Sequence, residues 1–176
     1  MTTEYKLGRL GDLSLSARPS AIAGSIGLWV VLTVVAAGLF SVPIGEAIVA
    51  GLIAAALHCA SEITHQLGHA RAARATGHPM VGIRLWGVLS TALYPADEGR
   101  LPAAVHIRRA LGGPAMSLLV TLAAGAIALA LRFAGGTLWL LAMFFFLDNL
   151  LVLTLGAFLP LGFTDGSTLL EWWGKR

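Results

Sequence analysis

Four stretches of this chain are each long and apolar enough to cross a lipid bilayer, and that constrains its fold more than any other feature. The hydrocarbon layer is about 30 Å thick and takes roughly 20 helical residues to span. Segments at about residues 20–42, 44–76, 110–133 and 136–160 reach that length. Inside hydrocarbon every backbone N–H and C=O must be bonded within the protein, so spans of this composition are helices. With 57% hydrophobic residues, 12% charged residues and a mean hydropathy of +0.80, the chain is too apolar for an ordinary soluble domain. The expected class is an all-α membrane protein, one membrane domain over residues 1–176. The stretch from Met80 to Tyr94 is rich in Val, Ile, Leu, Trp and Thr but broken by glycine. It reads as a short β-hairpin at the membrane surface, at about residues 80–95, between the second and third helices.

The positive residues give an orientation. Lys6, Arg9 and Arg18 precede the first span, six arginines from Arg71 to Arg109 lie at the second connection, and Lys175 and Arg176 close the chain. With four crossings these regions share one side, leaving only Arg132 opposite. The termini are therefore expected on the cytoplasmic side of a cell inner or plasma membrane. A net charge of +3 that follows this pattern, with no basic stripe interleaved by aromatics, argues against a nucleic-acid partner. The first 19 residues carry mixed charges and no apolar core of a signal peptide. A single cysteine, Cys59, excludes a disulfide framework built from this chain alone. The closing "LLEWWGKR" pairs two tryptophans with basic residues, as interfacial anchors do.

Ionisable residues inside a span are costly and so point to function, usually facing the bundle interior. The second span carries His58, Glu62, His65 and His69, with Gln66 beside them. At about 100° per residue these five side chains fall within roughly 100° of arc. His65 and His69, four apart, have Cβ atoms roughly 5–6 Å from each other, which lets two imidazoles grip one metal ion. Asp165 lies beyond the fourth span in "FLPLGFTDGSTLL", where proline and two glycines break regular structure. Irregular backbone at membrane depth is tolerated where it lines an enclosed or watery cavity. A carboxylate on such a turn could reach the histidine face and complete a two-His, one-carboxylate zinc site with an open fourth position.

Three separated segments then resemble the site-2 protease family of intramembrane zinc metalloproteases. "HQLGHA" resembles the family's H-E-x-G-H-A, "GGPAMS" its G-P-x-x-N element, and "LPLGFTDGSTLL" the segment ending in its L-D-G motif. The resemblance covers roughly residues 44 to 170, with the motifs in the family's order. It implies zinc at His65, His69 and Asp165, a site shaped by Gly113 and Pro114, and surface strands around Met80 to Tyr94 that pair with an extended substrate. The implied partners are a transmembrane protein substrate and the lipid bilayer. The sequence departs from the family at Gln66 for the glutamate, Ser117 and Ala157 for asparagines, Thr164 before the aspartate and Ser167 for a glycine.

Gln66 bears most on the chemistry. Peptide hydrolysis needs a base to take a proton from water and return it to the departing amine, a contribution of roughly 10²–10⁴-fold. Glutamine hydrogen-bonds but does not accept that proton. Three explanations stay open: a non-catalytic homologue that holds membrane segments, an enzyme whose base has been replaced to trap a state, or a substitute carboxylate. Glu62, one turn before His65, is the nearest substitute, and as an i, i+3 pair with His65 it also suits shared metal ligation. Asp148, beside Asn149 in the fourth span, is expected to bond a polar group of the second. A rival of another class is a transporter or proton relay that uses His58, Glu62, His65, Asp148 and Asp165 as a buried path.

Overall fold

A computed structural model describes residues 3–175. Four helices are long and apolar enough to span a membrane. Helix α1 (Pro19–Leu39) starts with proline in its first turn, where a missing N–H costs nothing. Helix α2 (Ile44–Ala75) runs 32 residues without a break, and α3 (Ala103–Leu131) runs 29. Helix α3 begins seven residues before the expected start near Ala110. Its first two turns, AAVHIRR, are too polar to score as bilayer sequence, yet Ala103 and Arg109 within them are buried against the protein.

The fourth span is composite. Helix α4 (Gly136–Leu147) passes into a π-helical segment, Asp148–Leu155, and then a 3₁₀ turn, Gly156–Phe158. Within the π segment Asp148, Asn149, Leu153 and Thr154 are buried. Adjacent pairs repeating five apart match i→i+5 bonding rather than the α period. After the non-helical residues 159–164 the chain turns into α5 (Asp165–Trp172). Asp165 is thus the first residue of a short helix rather than part of a free turn.

The expected hairpin is present as β3 (Gly82–Trp86) and β4 (Leu89–Leu93), but it belongs to a four-stranded sheet. Near the N-terminus, β1 (Tyr5–Leu10) and β2 (Leu13–Ala17) form a second hairpin. Strand β2 then runs parallel to β3, giving the order β1-β2-β3-β4 with β4 at one edge. Sequence patterning missed β1 because all six of its residues are exposed. It missed β2 because that strand's partner lies some 70 residues away. Leu13, Met80 and Ile83 of the sheet region pack with Ala70 and Ala73, and this small core fastens the sheet to the last turns of α2.

Helices α2 and α3 cross at glycine. A Cβ on Gly68 would meet the Gly112 carbonyl oxygen and Met116 Cβ, and one on Gly112 would meet Ala72 Cβ and the Gly68 carbonyl. Small residues permit this backbone approach, which supplies the van der Waals contact that membrane helices rely on in place of a hydrophobic force. Gly68→Ala is expected to force the two helices apart at a cost of about 1–3 kcal/mol. Thermal denaturation in detergent should show the loss; an unchanged midpoint would mean the crossing is softer than its geometry indicates.

Candidate metal centre

The crossing of α2 and α3 sets the site. His65 and His69 point from α2 with both rings buried, at 7% and 5% exposure. Their Nε2 atoms lie 3.1 Å apart. Asp165, at the start of α5, brings Oδ2 to 3.3 Å from His65 Nε2 and Oδ1 to 3.3 Å from His69 Nε2. Two residues four apart on α2, about 1.1 helical turns, and a third from beyond the fourth span thus converge.

The opposite ring nitrogens are held by α3. His69 Nδ1 lies 2.8 Å from the Arg109 carbonyl, which can only accept, so Nδ1–H is the donor there. His65 Nδ1 lies 2.9 Å from Ser117 Oγ. The Ser117 hydroxyl can accept from His65 Nδ1–H, and in that tautomer both Nε2 lone pairs face each other and a carboxylate. Acceptors gathered in this way call for a cation among them. Ligand atoms about 2.0–2.1 Å from a tetrahedral zinc stand roughly 3.3–3.4 Å from one another. The separations of 3.1, 3.3 and 3.3 Å are close to that edge length, with each histidine facing a different oxygen of Asp165. The donor set therefore fits zinc with one position left open.

Gly113 closes the back of the cluster. A Cβ there would run into the Nε2 atoms of both histidines, so the site needs a residue without a side chain at this position. Pro114 follows within α3, and Ser117 is buried one turn on. Ala157 is buried in the cavity wall. Gln66 is 5% exposed and its Oε1 has no hydrogen-bond partner. It lines two cavities that meet at the cluster. One, about 370 Å³, is walled by apolar groups such as Trp86, Leu89, Val152 and Phe163. The other, about 300 Å³, is lined by Thr91, Tyr94, Glu98, His106, Arg109 and Thr168. Burial pushes the Tyr94 phenol up to about 12, so it stays a neutral hydroxyl in the polar cavity. A larger apolar groove of about 510 Å³ between α1, α2 and α4 lies apart from the cluster and touches Asp148.

Glu62 also lines the apolar cavity, but its carboxylate accepts a hydrogen bond from Ser90 of β4. His58 bonds Asp148, as expected of that aspartate, and the Val88 carbonyl. The polar stripe therefore divides: His65 and His69 meet Asp165, whereas His58 and Glu62 meet the hairpin.

No protein-family model matches the sequence, and no curated protein does. Among solved structures the chain is similar to the site-2 protease from Methanocaldococcus jannaschii, with a TM-score of 0.62 over 96% of this chain and 70% of that one, at 16% identity. The fold is that of a site-2 protease. Within it, four helices are long and apolar enough to span a membrane, as the sequence indicated, and a small four-stranded sheet lies beside them.

The residue that sequence reasoning missed in this site-2 protease fold is Arg109. Its carbonyl orients His69, and its guanidinium holds Glu98 at 2.5 and 2.8 Å, reaches the His78 carbonyl at 2.6 Å and lies 4.0 Å over the Tyr94 ring. One of six arginines near the second connection, it carried no local signal that set it apart from the charges that orient the chain. Hydrogen bonds from Arg109 hold the Glu98 carboxyl below its ordinary value of 4.5. A depressed folded value means that the pair stabilises the protein above pH 4.5 and that this contribution fades as pH falls through the lower value. Glu98→Gln is expected to be less stable than the parent at neutral pH, and the gap should close on acidification below about pH 4.5. Denaturation midpoints of both proteins across pH 3 to 7 check this; a gap independent of pH would assign the loss to packing.

Proposed function

We propose that this chain is a site-2-protease-type intramembrane metalloprotease scaffold that holds one zinc ion on His65, His69 and Asp165, engages transmembrane peptide segments, and is catalytically impaired because of Gln66. The observation that carries this reading is the convergence of two imidazole lone pairs and a carboxylate at zinc-ligand spacing, inside this fold. When bound, the ion supplies Lewis acidity toward a carbonyl oxygen and makes water more acidic.

The chain's own residues do the rest. The Arg109 carbonyl fixes the tautomer of His69, and together with the Ser117 hydroxyl it holds the tilts of the two rings. Strand β4 presents an unpaired edge, and its Ser90, Thr91 and Ala92 line the polar cavity with Gln66 and Asp165. An extended peptide adds to such an edge through main-chain hydrogen bonds, with an apolar side chain entering the 370 Å³ cavity beside Trp86 and Leu89. The polar cavity lets water reach the same cluster. Gln66 can orient that water through its free Oε1. It cannot take the proton, so hydrolysis proceeds roughly 10²–10⁴-fold more slowly than with a carboxylate there. Glu62 is the weaker candidate for a substitute base, because one of its carboxylate oxygens accepts a hydrogen bond from Ser90.

The reading places both termini on the cytoplasmic side, supported by the distribution of Lys and Arg. The rival proton relay is not favoured. His58, Glu62 and the cluster each end in local bonds, and none of the hydrogen bonds among them joins Glu62 to His58 or His65.

Elemental analysis of the detergent-purified chain is expected to find about one zinc per chain, lost in His69→Ala. Gln66→Glu should keep the metal and raise cleavage of a membrane-embedded peptide by roughly 10²–10⁴-fold. No metal after zinc is supplied would overturn the reading of the centre; metal without any gain from Gln66→Glu would overturn the account of the base.

A further inference from the structure

His58 and Glu62 are buried at 5% and 4% exposure, lie on the same face of α2 as the metal-site histidines, and take no part in the cluster. Both ring nitrogens of His58 are occupied. Nε2 lies 2.7 Å from the Val88 carbonyl, which only accepts, so Nε2 carries a proton there. Nδ1 lies 3.0 and 3.2 Å from the two oxygens of Asp148. This leaves no lone pair for a metal. Glu62 is tied to the hairpin through one carboxylate oxygen, which accepts from Ser90 Oγ–H; Ser90 Oγ also lies 3.4 Å from the Glu62 carbonyl.

The two partners, Val88 and Ser90, are two residues apart on the hairpin, and the two anchors are four apart on the helix. Val88 lies in the β3–β4 turn and Ser90 is the second residue of β4, so the two ties hold the tip of the hairpin and the start of β4 against successive turns of α2. A slip of one residue would turn Ser90 to the opposite face of the sheet and break its tie.

We propose that His58 and Glu62 are positioning residues that dock the β3–β4 hairpin along α2, so that the free edge of β4 lies in fixed register beside the His65–His69–Asp165 cluster. Asp148 extends the same tie to the fourth span. The register of β4 then selects which residue of an extended peptide faces the cluster; this part rests on the reading of β4 as the receiving strand. The ionisable stripe is in this view two devices on one helix face, one gathering ligands and one aligning a peptide.

The test is hydrogen–deuterium exchange on the full chain in detergent, with zinc content measured in parallel, for the parent, Ser90→Ala, Glu62→Leu and Glu62→Gln. Loss of a buried hydrogen bond should speed exchange in the β3–β4 amides about tenfold in Ser90→Ala and Glu62→Leu. Glu62→Gln, which still accepts from Ser90, should stay near the parent. Zinc content should be the same in all four. Unchanged hairpin exchange in Ser90→Ala and Glu62→Leu overturns the proposal. So does a Glu62→Gln as damaging as Glu62→Leu, which would show that the ionised carboxylate itself is what matters. Ser90→Ala removes a single oxygen and keeps the test decisive if Glu62→Leu does not fold. Absence of zinc in every protein would count against the metal reading alone, since the exchange data judge the docking independently.

Discussion

The close crossing of α2 and α3 is the contact on which the rest of the site depends. Gly68 and Gly112 let the two backbones touch, and Gly113 leaves space for two imidazole rings where any side chain would intrude. Only at that separation can the Arg109 carbonyl and the Ser117 hydroxyl reach the Nδ1 atoms of His69 and His65. The carbonyl bond decides which nitrogen of His69 is left with a lone pair, and the hydroxyl bond holds the His65 ring beside it. Packing and chemistry are here one interaction: a bulkier residue at the crossing would rotate the rings as well as separate the helices.

The third member of the cluster comes from the opposite strategy. The fourth span abandons α-helical bonding at Asp148, passes through π and 3₁₀ turns, and loses regular structure before Asp165. Such backbone is affordable within a membrane protein only where protein or water satisfies it. Here Thr164 Oγ accepts from the Leu161 N–H and donates to the Leu159 carbonyl, and Ser167 Oγ accepts from the Gly162 N–H. The same break sends α5 back along α3, where Trp172 stacks on His106 with ring centroids 4.1 Å apart. That stack, made on a histidine that lines the polar cavity, anchors the far end of the helix that begins with Asp165. The terminal tryptophans, expected as interfacial anchors, thus differ: Trp172 packs against α3 and Trp173 is exposed.

What could be read from the residues alone followed the range of each interaction. The four spans depend on local hydropathy, and the paired histidines depend on helical period within one segment, so both were legible. Asp165 was legible as a carboxylate in broken backbone, although its place at a helix start was not. The strands β1 and β2 escaped because β1 is exposed throughout and β2 finds its partner in β3 across two helices. Arg109 escaped because its contribution to His69 is made by a backbone carbonyl, which every residue possesses. Glu62 was read as a substitute base from its angle on the helix. The hydroxyl that occupies it belongs to β4, and no helical wheel contains that strand.

Gln66 is best understood against these surroundings. Its Oε1 is buried with no protein partner among the described residues, and the side chain faces both cavities that meet at the cluster. Around it the fold keeps the paired rings, their hydrogen-bonded backs, the carboxylate opposite and the small residue that makes room for them. A polar side chain that cannot accept a proton, set where it meets both an apolar and a polar cavity, gives a site able to hold and orient while contributing little to proton transfer. Binding in such a site draws on shape, ligand geometry and the free edge of β4, and none of these needs a base. Hydrolysis needs all of them and the base as well. The proposed division between a retained scaffold and an impaired reaction follows from that asymmetry, because in that proposal Gln66 bears on the single requirement that the two activities do not share.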